Sequence, residues 1–207
     1  MHMKSIDRII AKPTKAGMGG DGFRVFNYIP NGGIPQKRIS PFLMLDFNPA
    51  YDFPPAESGH LRGVDVHPHK GFETVTIAYK GSVAHYDSSG NSGIINPGDV
   101  QWMTAGRGIL HKEFHEENYA KKGGLFEMVQ LWVNLPKKDK SVAPHYQAIT
   151  NNEMGKLVLE GNGGQVNIIA GDINGIKGPA STYTPINLFD IKLRARAEFE
   201  VSIPEDH

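Results

Sequence analysis

Glycine and proline cut this chain into short runs of β-branched and aromatic residues, and no segment carries a helical period over three turns. The 24 glycines and 14 prolines are 38 of 207 residues, about 18% against roughly 12% in average usage. A chain punctuated in this way is restricted to an all-β fold. The runs predict strands at Phe23–Ile29, Pro41–Phe47, Phe72–Lys80, Ser82–Tyr86, Asp99–Thr104, Ile109–Phe114, Leu125–Asn134, Gln165–Ala170 and Asn187–Ile203. Gly17–Gly22 has no helix after it to make a phosphate loop and is read as a turn between early strands.

Alternation is clearest at the end. Phe189, Ile191, Leu193, Ala195, Ala197, Phe199, Val201 and Ile203 alternate with Asp190, Lys192, Arg194, Arg196, Glu198, Glu200 and Ser202. This predicts a ribbon with an apolar face on the core and a charged face in water, bent near Ala195–Glu198.

Lys plus Arg and Asp plus Glu both number 22, so no net positive charge advertises nucleic acid or a membrane surface. There is no cysteine, which excludes disulfides, thiolate catalysis and sulfur-ligated metals. Any metal must be held by nitrogen and oxygen. No apolar run has the length of a membrane span or of a signal peptide, and a cytoplasmic protein is expected.

Six of the nine histidines lie between His60 and His115. His67-Pro68-His69 and His111-Lys112-Glu113 each place two metal-ligating side chains at i, i+2, which on a strand share a face. Two such pairs on neighbouring strands aim three imidazoles and a carboxylate at one point, a donor set for a divalent transition metal. Burying neutral imidazoles without partners would otherwise cost free energy. Glu73 competes with Glu113 as the fourth ligand, since an uninterrupted strand from His67 would put His69, Glu73, Val75, Ile77 and Tyr79 on one face; Gly71 is the residue able to break that register. Val83 and His85 are candidates for the inner face of the next strand, His85 being either a further site residue or a hydrogen-bonded rim or core residue, and Asp87–Gly93 reads as a long polar turn. His115 is either a neighbour of the site or a surface residue. His2, His145 and His207 are read as ordinary surface or core residues.

The stretch Val64–Glu117, with Ser40-Pro41-Phe42-Leu43-Met44-Leu45-Asp46 before it and Gln130-Leu131-Trp132-Val133-Asn134-Leu135-Pro136 after it, resembles the N-terminal cupin of the pirin family. The resemblance covers about residues 5–147. It implies two facing antiparallel barrels: a metal-binding cupin over residues 1–140 and a partial second cupin over 141–207. The second has no His-x-His, and it ends at Val201–His207 where the family continues with further strands. By motif, the resemblance implies iron held by His67, His69, His111 and Glu113, with Glu73 as an orienting neighbour. Lys70 stands where the family usually has Arg.

Two functions follow from that resemblance. One is a quercetin 2,3-dioxygenase-type enzyme that opens a flavonol with O₂ on Fe(II), with Glu113 as both ligand and base. The other is a non-enzymatic, iron- or redox-sensitive regulator that binds transcription factors or metabolic enzymes. Mn, Ni, Co, Cu and Zn also suit the donor set.

Overall fold

The computed structural model describes residues 5–57 and 59–203. His2, His207 and the segments 1–4 and 204–207 lie outside the described residues. In chain order the strands are β1 (Gly17–Gly19), β2 (Phe23–Ile29), β3 (Phe42–Phe53), β4 (Gly63–His69), β5 (Phe72–Lys80), β6 (Val83–Asp87), β7 (Ser92–Ile95) and β8 (Val100–Thr104). They continue with β9 (Ile109–His115), β10 (Gly124–Asn134), β11 (His145–Ile149), β12 (Gly155–Leu159), β13 (Gly164–Ala170), β14 (Asp172–Ile173), β15 (Ile176–Lys177) and β16 (Leu188–Leu193). Two helices, α1 (Gln36–Ile39) and α2 (Glu117–Lys122), are too short to leave a period in the sequence.

All pairings are antiparallel. A seven-stranded sheet runs β1-β2-β3-β10-β5-β8-β11, and a four-stranded sheet runs β4-β9-β6-β7. A three-stranded sheet, β12-β13-β16, and the β14-β15 hairpin follow. The fold is all-β, as expected. Pairing of β11 with β8 carries the first sheet to Ile149, past residue 140.

Pleating gives the seven-stranded sheet two chemically different faces. On one, Val75, Trp102, Leu131 and Val133 pack with Met154, Ile169, Ala170 and Ile186 from the later strands. A fully buried Val or Leu there contributes about 1.5–3 kcal/mol. The other face is polar in its middle and meets the four-stranded sheet. One transverse row, read from the register, is Asp46, Gln130, Thr76 and Gln101; the next is Met44, Trp132, Thr74, Met103 and Tyr146.

The terminal ribbon is shorter than its alternation predicts. β16 stops at Leu193, and the chain turns at Arg194–Ala197, where Arg196 takes φ +65 and the Ala197 N–H donates to Arg194. The bend falls where it was expected, but the continuation to Ile203 is not a strand, and Ile191 and Leu193 are exposed. The face expected in water is also partly used: Asp190 accepts hydrogen bonds from Tyr79 and Asn167. Alternation records which residues can share a face; it does not supply the neighbouring strand that would bury them.

Candidate metal centre

His67 and His69 lie on β4, at the edge of the four-stranded sheet, where Pro68 is tolerated for want of a second partner strand. Strand β4 is irregular. Val64 stands opposite Glu113 and His67 opposite His111, so three steps on β4 match two on β9. The extra residue falls at Asp65–Val66, both exposed. Without that bulge Val64 and His67 would point to opposite faces; with it, both point inward.

The three imidazoles meet. Ring centroids are 4.8 Å apart for His67–His69, 4.3 Å for His67–His111 and 4.6 Å for His69–His111. Their nearest ring nitrogens all lie within 4.8 Å of one another. A second group, His85, His111 and Glu113, satisfies the same limit. His111 is the hinge between the two, and Glu113 is grouped with His85 and His111 rather than with all three histidines of the first group.

Two of the three imidazoles are held neutral by the fold. Burial, then repulsion from His111 and His67, pushes His69 down to about 3. Burial, then His67 and His85, pushes His111 down to about 3 against the pull of Asp87. The Nδ1 of His67 faces the Asp65 carbonyl at 2.7 Å. A carbonyl only accepts, so that nitrogen carries the hydrogen, which leaves Nε2 as the nitrogen able to bind a metal. His111 Nε2 is buried with no partner among the described residues. An unpaired buried polar atom costs about 1–3 kcal/mol, and a metal ion would satisfy it. The residues present therefore fit a divalent transition metal.

Glu113 is clamped. Gln101 Nε2 donates to its Oε1 at 3.0 Å, and Gln130 Nε2 donates to its Oε2 at 3.1 Å. Trp132 Nε1 in turn donates to Gln130 Oε1 at 3.3 Å. Trp132 also packs edge-on to His69 and lies 4.6 Å from Phe72.

His85 is wholly buried beside the centre, as its strand parity predicts. Its Nε2 lies 3.3 Å from Asp87 Oδ2, and its Nδ1 lies 3.4 Å from His111 Nδ1. Tyr146 stacks on its ring at 4.8 Å. Burial works against an ionised Asp87, but hydrogen bonds from Asn91, His85 and Ser89 outweigh it and hold the carboxyl below its ordinary range.

Two expectations are corrected. Glu73 is not an orienting neighbour of the histidines. Gly71, at φ +76, breaks the strand after His69, and β5 starts afresh in the other sheet. Glu73 then shares the far, apolar face with Val75 and Ile77, where Thr104 Oγ1 donates to its Oε1 at 2.7 Å. His115 is a core residue: its ring stacks on Phe126, and Nε2 lies 2.8 Å from the Gly22 carbonyl. Gln101, Gln130, Trp132, Asp87 and Tyr146 were not singled out from the sequence. Asp87 stands at i+2 from His85 and Trp132 at i+2 from Gln130, so the parity rule that found the histidines also reaches them.

The pirin family model matches residues 22–133, more than half of the 207-residue chain. The chain belongs to the pirin family. It is 47% identical to a Pseudomonas aeruginosa protein named "Putative quercetin 2,3-dioxygenase PA2418", over 91% of this chain and 65% of that protein. It is 40% identical to human pirin, over 90% of this chain and 59% of that protein. The crystal structure of quercetin 2,3-dioxygenase from Acinetobacter baumannii superposes with a TM-score of 0.80 at 48% identity, over 88% of this chain and 62% of that one. The chain thus spans less than two thirds of the length of these relatives. The cupin fold expected from the pirin resemblance is the fold observed.

Proposed function

We propose that this pirin holds one divalent metal, Fe(II), through His67, His69, His111 and Glu113, and opens flavonols of the quercetin type with O₂. The observation that carries the metal is the triangle of imidazoles together with the partnerless His111 Nε2. The names of the Pseudomonas and Acinetobacter relatives support the reaction. Mn, Ni, Co, Cu and Zn accept the same donors.

Bound there, the metal supplies Lewis acidity and redox chemistry toward O₂. The chain supplies the rest. Three imidazoles and one carboxylate would leave a divalent ion with a net positive charge, which would favour an anionic substrate oxygen. Glu113 takes the proton of the flavonol 3-hydroxyl at a carboxylate oxygen, and Gln101 and Gln130 keep that carboxylate in place while it does so. The part-exposed rings of Phe72 and Trp132 form an aromatic wall beside His69 for a planar substrate.

Oxygen uptake by the iron-loaded protein with quercetin, set beside the His67→Ala variant, tests the reading. Uptake by the parent and none by the variant is the expected result; equal uptake by both, or none by either, would reject it.

A further inference from the structure

We infer that Asp87 and His85 are positioning residues that set the tautomer of His111, so that its metal-facing nitrogen always presents a lone pair. The inference rests on the metal reading above but concerns residues outside the ligand set.

One chain of contacts links Asp87 to His111 through His85. Asp87 Oδ1 accepts from Ser89 N at 2.8 Å, Asn91 N at 3.1 Å and Asn91 Nδ2 at 3.2 Å, while Oδ2 accepts from Asn91 Nδ2 at 3.0 Å. A carboxylate so surrounded by donors only accepts. The remaining neighbour of Oδ2 is His85 Nε2 at 3.3 Å, and both side chains have no exposed surface. His85 Nε2 therefore carries a hydrogen; with the ring taken as neutral, Nδ1 keeps its lone pair. That lone pair faces His111 Nδ1 at 3.4 Å. Two facing lone pairs would repel, so His111 Nδ1 is the donor and Nε2 is left bare. Nε2 is the atom without a partner.

The rings cannot swing away from this order. Tyr146 lies flat on His85, with ring planes 17° apart. Gly93, paired with His85 on the adjacent strand, makes room for that tyrosine: a Cβ there would stand 2.3 Å from the Tyr146 hydroxyl. A metal-ligating histidine whose other nitrogen is held in this way loses about 10–100-fold in metal affinity when the support is removed.

Asp87→Asn reverses the chain at the cost of one contact, the 3.0 Å hydrogen bond from Asn91 Nδ2 to Oδ2. Three donors hold the Oδ1 position, so the new amide keeps its oxygen there and turns its NH₂ toward His85 Nε2. His85 must then donate from Nδ1, and His111 must carry its hydrogen on Nε2.

Long-range ¹H–¹⁵N spectra of the metal-free wild-type protein read the tautomers directly, and Co(II) titration of wild type and Asp87→Asn reads the consequence. Expected are an Nδ1–H tautomer for His111 in the wild type and a Co(II) Kd raised about 10–100-fold in the folded variant. An Nε2–H tautomer for His111 in the wild type, or a folded variant with wild-type affinity, would overturn the inference. The wild-type spectrum decides even if the variant does not fold. Failure of the wild type to take up Co(II) would instead count against the metal reading.

Discussion

His67 stands directly opposite His111, ring centroids 4.3 Å apart, because β4 carries one residue more than its partner between Val64 and His67. The bulge lets Val64 pack into the core and still turns His67 to the same side. Deleting Val66, an exposed bulge residue, removes that extra step. The histidines can then face inward only by turning Val64 out. Metal content after reconstitution, measured by elemental analysis, is expected to fall to roughly a tenth or less of the parent value, since a one-residue slip moves a side chain to the opposite face.

The amide clamp on Glu113 gives a graded prediction. Gln130→Leu removes one donor to a buried carboxylate and also strands the Trp132 indole N–H. Metal affinity should drop about 10–100-fold. Trp132→Phe keeps the Gln130–Glu113 bond and should cost much less. Calorimetric titration of both variants distinguishes a clamp that sets the carboxylate from one that merely fills space, for which the larger loss would follow the aromatic change.

Acid sensitivity of the metal-free protein follows from His69 and His111. Both sit near 3 in the fold, from an ordinary value of 6.5. Between those values the unfolded chain binds protons that the folded chain refuses, so stability falls as pH drops below 6.5 and is lost progressively toward 3. Each histidine contributes on the order of 1 kcal/mol per pH unit in that window. Urea unfolding at several pH values checks this. Replacing both histidines by Ala should flatten the slope, and an unchanged slope would show that neither is held neutral by the fold.

Glu73 tests the assignment of faces. Burial raises its pKa, so ionisation in the unfolded chain erodes stability as pH rises above 4.5. Glu73→Gln removes that loss. The variant should melt a few degrees above the parent at pH 8, with the gap closing toward pH 4.5, and its metal content should not change. A fall in metal content would return Glu73 to the site.

The sequence made the sheet faces and the histidine cluster legible because both obey the period of two. Val83 and His85 point inward as parity requires, and Phe72–Lys80 is a strand over the predicted residues. Two kinds of information were not local. The bulge at Asp65–Val66 has no glycine to mark it, and it is specified by the needs of two distant partners, the core around Val64 and the ring of His111. Gly71 hid the opposite error. It was visible as a register breaker, but its effect, sending Glu73 to a different sheet, depends on which strand β5 pairs with. The pairs Asp87–His85 and Gln130–Trp132 lay within reach of the same parity rule, but Asp87 reads as the start of the polar turn to Gly93, and Gln130–Trp132 contains no residue of obvious ligand type. His115 likewise shares the parity of His111 and Glu113 and still belongs to the aromatic core, because Phe23, Phe53 and Phe126 surround it.

The most direct test of the account is iron K-edge X-ray absorption on the protein loaded anaerobically with Fe(II). The account predicts one iron per chain, bound by three imidazoles and one carboxylate oxygen, with the imidazole scattering diminished in His111→Ala. Iron bound without imidazole scattering, or an identical spectrum in the variant, would contradict it.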